Sequence, residues 1–393
     1  MNICDVKKLC GGCDYTDISY KEELQEKENK IKDLFKLHIN ENLDEIGFEN
    51  IISTGECTEY RNKMEFSFGD MTKGGPLTLG LHQKKFFYNI LSSRNCELID
   101  ENIRKIVKTT EDFFNENNIN YYHKRNHTGY LRHLVVRKSF YENSYMVNLV
   151  TTSDDVEKNL LPHYMEAITS LFSDKSKINI LHTINNNVAD KVDCEKLEIL
   201  YGNDYIYEEV LGLKFKITPF SFFQTNTNGA KILYDKVREY AKIINKDINV
   251  IYDLFCGTGT IAQILSPLAK KVYGVEIIKE AVESARDNAK QNNLSNVYFK
   301  AEDINLLMKN NDFLNELPDL IVLDPPRNGV EQKTLEKVLE FGASDIIYVS
   351  CKIESFIRDY EMLKSRGYKV KKFCPVDMFP RTKHVETVVL LSK

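Results

Sequence analysis

Hydrophobic and polar positions change their spacing twice along the chain. A polar stretch at 19–38 carries a thin apolar stripe with the spacing of an amphipathic helix, formed by Leu24, Ile31, Leu34 and Phe35. From about residue 48 to 205, short alternating segments such as NKMEFSFGD and SYMVNLVTT predict β-strands. After that, strand-like and helix-like segments alternate to the end of the chain. The pattern therefore predicts a division into residues 1–47, 48–205 and 206–393.

The third part predicts a parallel sheet with helices on both faces. Its strand-like segments are, in order, NVIYDLF, KKVYGVE, NVYFKAED, DLIVLDPP and DIIYVSC. Alternation of strands and helices is typical of an α/β fold, whose ligands bind at the carboxyl ends of the strands. The final segments, KVKKFCPVDMF and HVETVVLLSK, lack a long helix between them and predict a hairpin at the sheet edge. The predicted fold class is α/β, with a β-rich central domain before it.

Composition narrows the class of protein. A hydrophobic content of 42% and a charged content of 28% suit a folded domain. The sequence has no apolar run of about 18 residues, and its first residues lack the apolar core of a signal peptide. We expect a cytoplasmic, monomeric protein without a membrane partner. In that reducing compartment, the nine cysteines are metal ligands, nucleophiles or packing residues rather than disulfides.

A glycine loop follows the first strand of the α/β part. DLFCGTGT places Gly257 and Gly259 where the backbone can approach a ligand at a helix start. The loop lacks the G-x-G-x-x-G pattern of dinucleotide-binding dehydrogenases. Glu276 ends the next strand, where a carboxylate can accept ribose hydroxyls, and Asp303 follows the third, facing an adenine amino group. This set resembles the S-adenosylmethionine site of class I (Rossmann-like) methyltransferases.

A thiol and a carboxylate come to the same predicted edge of the sheet. Cysteine is often a buried packing residue, but Cys351 follows the strand DIIYVS, at the rim where ligands bind. Carbon 5 of uracil becomes nucleophilic when a thiolate adds to carbon 6, and a base must later remove the carbon 5 proton. We assign Cys351 as that nucleophile and Glu386 as that base. Asp324 and Arg327 are expected to position the ring.

SFFQTN, DLFCGTGT, LDPPR, YVSC and DMFP with HVE together resemble the RNA uracil-5-methyltransferase family. That family makes 5-methyluridine in 23S ribosomal RNA and in the tRNA T-loop, and the resemblance covers nearly the whole chain. It implies an S-adenosylmethionine site formed by Gln224, Phe255, Thr260, Glu276, Asp303 and Asp324. It also implies catalytic roles for Cys351 and Glu386. One departure is Lys352-Ile353, where the family has Asn-Pro, which puts the local helix start in question.

Four cysteines have the spacing of a metal site. Cys4, Cys10 and Cys13 form C-x5-C-G-G-C, and Cys96 follows far downstream. Thiolates at this spacing hold zinc or an iron–sulfur cluster, and spacing alone leaves both possible. In the ribosomal-RNA branch of the family the same spacing carries a [4Fe–4S] cluster. The resemblance thus implies an N-terminal iron–sulfur segment, with a closed cluster of structural rather than radical function.

The expected partner is RNA. The stretch Tyr121–Phe140 holds five Lys or Arg residues, three His and no acid, with tyrosines interleaved. Such a stretch suits phosphate contact and base stacking, and a solvated face is the alternative. The cluster favours 23S ribosomal RNA, although we do not expect the small RNA-binding TRAM barrel of many 23S enzymes before Cys4. A tRNA T-loop is the alternative substrate, and a vestigial RNA-binding or redox protein is disfavoured by the pairing of Cys351 with Glu386.

Overall fold

The computed structural model describes residues 4–39, 43, 45–153, 158–189, 191–244, 247–307 and 316–393. Its helices are α1 (Tyr20–Ile39), α2 (Glu101–Glu116), α3 (Leu161–Thr169), α4 (Thr227–Ile243), α5 (Thr260–Leu265), α6 (Lys279–Gln291), α7 (Ile304–Leu307), α8 (Gln332–Glu340) and α9 (Ile353–Ser365). Its first nine strands are β1 (Lys63–Asp70), β2 (Leu77–Gln83), β3 (Phe86–Ser92), β4 (Leu131–Ser139), β5 (Ser144–Thr151), β6 (Ile178–Ile184), β7 (Lys196–Tyr201), β8 (Ile206–Val210) and β9 (Leu213–Ile217). The remaining strands are β10 (Ile248–Leu254), β11 (Ala269–Glu276), β12 (Val297–Ala301), β13 (Leu320–Leu323), β14 (Asp345–Ser350), β15 (Lys369–Val376) and β16 (Glu386–Ser392).

The predicted α/β sheet is confirmed, with the strand order β12-β11-β10-β13-β14-β16-β15. The strands from β10 to β14 pair in parallel, because helices connect them across the faces of the sheet. The predicted terminal hairpin is also present, since β15 and β16 pair antiparallel. The last strand, β16, pairs with β14 and leaves β15 at the edge. Strand order reverses between β10 and β13, so a crevice for a ligand is expected at their carboxyl ends.

The β-rich central part forms a second seven-stranded sheet, in the order β2-β3-β1-β4-β5-β6-β7. It is mixed, since β5 and β6 pair in parallel while β4 and β5 pair antiparallel. Helix α2 starts at an Asp100 cap, whose carboxylate accepts a hydrogen bond from the Ile103 amide at 2.8 Å. The apolar face of α2 packs on this sheet in one core that includes Ile106, Val107 and Phe114.

The predicted N-terminal helix is confirmed as α1, and its apolar stripe packs against the α/β part. Ile31, Phe35 and Ile39 are buried in the same core as β14 and β15. The ring of Phe35 lies 5.0 Å from that of Phe373 in an edge-to-face arrangement. None of the described helices combines the length and the hydropathy that crossing a bilayer requires.

The two large sheets meet beside the start of α4. The Asn62 amide, just before β1, donates to the Gln224 carbonyl at 2.9 Å and to the Thr227 hydroxyl at 2.8 Å. The Asn62 backbone amide also donates to the Thr225 carbonyl at 2.9 Å. Because β1 begins at this contact, the central sheet fixes the backbone of the segment that carries Gln224.

Candidate active site and cysteine-lined cavity

The glycine loop after β10 is a tight turn with an open side. Phe255, Gly257 and Gly259 all have positive φ angles, of 67°, 52° and 74°. A Cβ atom added at Gly259 would meet the Phe299 ring at 2.5 Å, so only glycine fits there. A Cβ added at Gly257 would meet no heavy atom of the described residues within 4 Å. The loop therefore presents bare backbone to open space.

Acidic side chains surround this loop at the carboxyl ends of three neighbouring strands. Asp253 is fully buried; its Oδ2 accepts from the Ala262 amide at 2.8 Å, and its Oδ1 has no hydrogen-bond partner among the described residues. The Glu276 carboxylate accepts from the Gly257 amide at 3.1 Å and from the Ile278 amide at 3.0 Å. Burial raises the pKa of Asp253 well above its usual range, and the charges of Asp324 and Glu276 add to that effect.

The other predicted cofactor residues lie near the same edge. Thr260 is buried at the first position of α5, and Asp303 follows β12, where its carboxylate accepts from the Asn305 backbone and side-chain amides at 2.8 and 3.0 Å. A bound S-adenosylmethionine fits these groups, because the open Gly257 backbone, the unpartnered Asp253 oxygen and the nearby carboxylates suit a cationic sulfonium and a ribose. Phe255 and Glu276 would border it.

Cys351, Glu386 and Asp324 form one electrostatically linked group. Burial raises the pKa of Glu386 to about 8, and the charge of Asp324 contributes. Burial also raises the pKa of Asp324 to about 7. The pKa of the Cys351 thiol is raised to about 11, mainly by burial and further by Glu386 and Asp324, while Arg327 opposes the shift. Each of these shifts favours the uncharged form of the side chain in the absence of a bound cation.

Cys351 stands at the mouth of β14 rather than deep in the interior. Its side chain is half-buried and lines a cavity of about 160 Å³ together with Arg327 and His384. Ser350 stabilises the turn, because its hydroxyl donates to the Lys352 carbonyl at 2.8 Å and accepts from the Lys352 amide at 3.2 Å. Helix α9 begins at Ile353 without a side-chain cap. The Lys352-Ile353 departure thus leaves the helix start in place.

Tyr234 on α4 is a buried residue of this region that sequence reasoning missed. Burial raises the pKa of its hydroxyl, the charges of Asp324, Glu386 and Asp253 raise it further, and a hydrogen bond with the half-buried Gln224 opposes them. The Tyr234 hydroxyl therefore interacts with Gln224 through a hydrogen bond and with the three carboxylates through their charges. Only its place in the helical pattern of α4 was visible beforehand, and that pattern indicates burial alone.

The loop before Glu386 is anchored by a buried charge cluster on α1, which the sequence also did not indicate. The Lys27 ammonium pairs with the carboxylates of Glu23 at 2.7 Å and Asp377 at 2.8 Å. The Tyr20 hydroxyl donates to the other oxygen of Asp377 at 2.7 Å. The Arg381 amide donates to Glu23 at 2.7 Å. These contacts hold the loop 377–385 against α1.

All four predicted metal-ligating cysteines line one cavity of about 360 Å³: Cys4, Cys10, Cys13 and Cys96. The pKa of Cys13 is raised to about 12, mainly by burial and also by the charges of Cys96, Cys10 and Cys4, as expected of neighbours. Among the described residues, no three His, Cys, Asp or Glu side chains converge closely enough to hold a single metal ion. A [4Fe–4S] cluster takes each thiolate on a different iron, so four thiols that line one cavity suit such a group.

The predicted basic RNA-contacting stretch is divided by the fold. Arg132 and Arg137 are buried and donate to backbone carbonyls, Arg132 to that of Asn185 at 3.0 Å and Arg137 to that of Pro219 at 3.3 Å. Lys138 pairs with Asp100 at 2.8 Å. These three cations therefore have structural partners within the protein, so the expected RNA contact is narrowed to the other cations of the stretch. Arg125 is exposed and Lys124 partly exposed in the loop before β4.

A similar fold occurs in a solved structure. The tRNA (uracil-54, C5)-methyltransferase of Pyrococcus abyssi, in complex with S-adenosyl-L-homocysteine, has a TM-score of 0.75 and is 24% identical, over 98% of this chain and 86% of that one. The likeness extends through both sheets. At this identity the likeness shows the fold alone, an α/β sheet joined to a mixed sheet.

Sequence comparison narrows the class. Residues 19–393 match the sequence model of the tRNA (uracil-5-)-methyltransferase family. An uncharacterized RNA methyltransferase of Clostridium tetani is 47% identical over 390 residues, which are 99% of this chain and 83% of that protein. Another, from Caldanaerobacter subterraneus, is 43% identical over 384 residues, 98% of this chain and 83% of that protein. The chain belongs to the tRNA (uracil-5-)-methyltransferase family.

Proposed function

We propose that this methyltransferase modifies carbon 5 of a uridine in 23S ribosomal RNA through a covalent bond between Cys351 and carbon 6 of the base. The observation that carries the proposal is the electrostatically linked group of Cys351, Glu386 and Asp324 beside the glycine loop. It supplies a nucleophile and a base at one rim, next to the residues that fit a methyl donor. Family membership supports uracil as the base and RNA as the substrate.

Each group has a defined task in this reaction. The Cys351 thiolate forms a bond with carbon 6, and the displaced electrons make carbon 5 nucleophilic. When bound, S-adenosylmethionine would supply an electrophilic methyl group to carbon 5, and S-adenosylhomocysteine would be the second product. The Glu386 carboxylate then removes the proton from carbon 5, and the electrons of that bond expel the Cys351 thiolate from carbon 6. The net change is one methyl group gained and one proton released.

The protonation states of Cys351 and Glu386 depend on the charges that lie near them. In the free protein, the raised pKa values of Cys351 and Glu386 keep both groups largely protonated near neutral pH. A sulfonium cation near Asp324 and Glu386 would favour their carboxylate forms. Arg327 lowers the pKa of Cys351 and is the cation beside the thiol that can stabilise charge developing on the ring. The target uridine must leave its stack to reach Cys351, so we expect a flipped-out nucleotide.

We further propose that Cys4, Cys10, Cys13 and Cys96 hold a [4Fe–4S] cluster. Their common cavity and mutual electrostatic effects support this assignment. The segment that carries Cys4, Cys10 and Cys13 also contacts the loop 377–385, which precedes Glu386. The backbone amides of Asp14 and Tyr15 donate to the Arg381 carbonyl at 2.7 and 3.1 Å, and the Lys383 amide donates to the Asp14 carboxylate at 3.1 Å. A cluster would therefore hold a wall of the active site.

The choice of 23S ribosomal RNA depends on the cysteines, because the resemblance associates the cluster with the ribosomal-RNA branch. A tRNA T-loop is the competing substrate, and it involves the same catalytic groups. Activity on a T-arm minihelix and on short 23S fragments, measured side by side, distinguishes the two. Methylation of the minihelix alone would overturn the ribosomal assignment while leaving the chemistry intact.

The chemistry is tested with RNA that carries tritium at uracil carbon 5. The wild-type protein should release tritium to water in the presence of S-adenosylmethionine, because carbon 5 loses its proton. The Glu386→Gln variant should accumulate a covalent protein–RNA adduct that survives denaturing electrophoresis, and Cys351→Ala should form none. Cys194→Ala, which changes an exposed cysteine, is the matched control and should behave as the wild type. Wild-type protein that methylates RNA without tritium release would contradict the proposal.

A further inference from the structure

An exposed aromatic hairpin lies beside the two surface cations of the basic stretch. Phe86, Phe87 and Tyr88 on β3 are 58%, 56% and 59% exposed. The Lys124 ammonium lies 4.7 Å from the centre of the Phe87 ring, and the Arg125 guanidinium lies 4.8 Å from that of Tyr88. Large apolar rings that remain in water beside cations mark an interaction site rather than a core. We call these five residues the aromatic–basic surface.

A cavity of about 380 Å³ lies between this hairpin and the loop that carries the cations. That volume lies within the roughly 300–1,000 Å³ of ligand sites. Its lining includes Tyr88, Lys124, Arg125 and His123, and the His123 Nδ1 is buried without a hydrogen-bond partner among the described residues.

The loop holds its cations in a fixed position. The His123 amide donates to the Thr128 carbonyl at 2.7 Å, and the His127 amide donates to the His123 carbonyl at 2.8 Å. Tyr122 is buried beneath it, with its hydroxyl 2.9 Å from the His127 Nδ1. The hairpin is also supported, because the Phe87 ring stacks on His82 at 4.4 Å. A preorganised surface loses little entropy when it binds.

From this arrangement we infer that the aromatic–basic surface binds unstacked bases of the RNA substrate at a second place, away from the target uridine. Side chains alternate along a strand, so Phe86 and Tyr88 lie on one face of β3, about 6.6 Å apart along the strand. That spacing suits two bases that no longer stack on each other. Neighbouring cations favour phosphates, and aromatic rings with arginine planes are the usual platforms for single-stranded RNA.

The surface is distant from the catalytic group. Strand β1 begins beside Asn62, which contacts the Gln224 backbone, and it ends at Asp70, which lines the cavity of the aromatic–basic surface. Its eight residues span about 23 Å. One nucleotide therefore cannot occupy both places, and the surface is expected to select RNA whose single-stranded or looped part extends beyond the modified base. This inference rests on the proposed RNA substrate.

Binding of a fluorescent oligouridylate, measured by anisotropy, tests the inference. Tyr88→Ala should weaken binding about 5- to 150-fold, because it removes one stacking platform. Tyr88→Phe should restore it. The matched control is Tyr141→Ala, since Tyr141 is also exposed and lies 5.1 Å from a cation, Lys214, elsewhere on the protein. The control should bind as the wild type, and thermal unfolding should show that both alanine variants are folded.

Salt dependence tests the cationic half of the surface. The double variant Lys124→Ala/Arg125→Ala should reduce the slope of log affinity against log salt by about 1.4, which corresponds to two phosphate contacts on a single strand. Unchanged oligouridylate binding by Tyr88→Ala would overturn the inference. An equal loss of affinity for duplex RNA would overturn it too, and so would evidence that the surface binds a protein instead. Failure of the proposed chemistry would appear separately, as absence of tritium release by the wild-type protein.

Discussion

The Lys27 ammonium and the Asp377 carboxylate, separated by 350 residues in the chain, form a buried ion pair at 2.8 Å. Both side chains are at most 1% exposed. Glu23 completes the cluster from the same helix as Lys27, and its carboxylate receives the Arg381 amide. The pair thus connects α1 with the loop that leads to Glu386. Its removal should affect the fold and the catalytic rim together.

Replacing Lys27 by methionine should destabilise the protein strongly. The change keeps the length of the side chain but leaves Asp377 buried without its cation and Glu23 with only the Arg381 guanidinium at 3.4 Å. Breaking such a buried pair costs about 3–5 kcal/mol. Denaturant unfolding measures the loss. The matched control is Lys105→Met, which breaks an exposed pair with Glu101 at 2.7 Å and should change the free energy of unfolding by less than about 1 kcal/mol. Equal effects of the two variants would contradict the assigned role of the cluster.

The strand pattern predicted, for a physical reason, that Asp324 and Cys351 would lie at one edge of the sheet. Strands that alternate with helices must pair in parallel, and parallel strands bring their carboxyl ends to one edge. Residues that follow those ends, such as Asp324 and Cys351, are therefore expected to lie close together. Glu386 was assigned from the chemistry of the reaction and from the family resemblance, and it comes near this edge because β16 pairs with β14, with Thr387 opposite Ser350.

Charged side chains away from strand ends could not be predicted in this way. Charge alone suggested that Arg132 and Arg137 face RNA, but long guanidinium chains can turn inward when carbonyl oxygens are within reach. The pairing of Lys27 with Asp377 depends on how α1 packs on a loop far along the chain, and no local pattern encodes that contact. The exposure of Phe86 and Tyr88 was hidden for the same reason, since alternating apolar residues usually predict a buried face.

Loss of the proposed cluster should loosen two regions at once. The cysteine segment is bonded to the β2–β3 turn, where the Gly11 amide donates to the His82 carbonyl at 3.0 Å and the Lys84 amide to the Leu9 carbonyl at 2.8 Å. It is bonded on its other side to the Arg381 carbonyl. A Cys10→Ser variant should therefore contain less iron and sulfide and should exchange amide hydrogens faster around 82–84 and 381–383.

The control for this experiment is Cys194→Ser, which changes an exposed thiol outside the cavity. Its iron content and its amide exchange should match those of the wild type. Amides of the buried strand β10 should stay protected in both variants, because the cysteine segment does not pair with it. Loss of iron in Cys10→Ser without faster exchange at either region would show that the cluster does not hold these contacts.

Glu386 should make stability fall as pH rises. Its folded-state pKa of about 8 lies above the ordinary value of 4.5, so the folded protein keeps a proton that the unfolded chain releases. The stability associated with that proton is complete below about pH 4.5 and is lost as pH rises through about 8. A Glu386→Gln variant has no such charge to bury. Relative to the wild type, it should gain up to about 4 kcal/mol between these pH values.

Denaturant unfolding at several pH values measures this difference. The control variant is Glu280→Gln, which replaces an exposed carboxylate in the first turn of α6 and should follow the wild type across the range. A constant difference between Glu386→Gln and the wild type at all pH values would show that burial does not hold the proton on Glu386. Bound S-adenosylmethionine should reduce the difference, since a nearby cation stabilises the carboxylate.

Arg327 should control how readily the Cys351 thiol ionises. Arg327 lowers the pKa of Cys351, which burial, Glu386 and Asp324 together raise to about 11. Because only the thiolate reacts with iodoacetamide, mass spectrometry of the Cys351 peptide as a function of pH measures this pKa directly. Arg327→Ala should move the midpoint of alkylation to higher pH by up to about one unit, while Arg327→Lys should keep most of the wild-type value.

Removing the Arg327 side chain also opens the cavity around the thiol, which can speed alkylation without changing the pKa of Cys351. The pH midpoint of alkylation reports that pKa, whereas the rate of alkylation also depends on access of the reagent. The control is Arg238→Ala, which removes a guanidinium paired with Asp235 on the surface of α4 and should leave the midpoint unchanged. A midpoint that stays fixed or moves to lower pH in Arg327→Ala would mean that another group stabilises the Cys351 thiolate. Arg327 would then act on the substrate alone, and the nucleophile would depend on RNA binding for its activation.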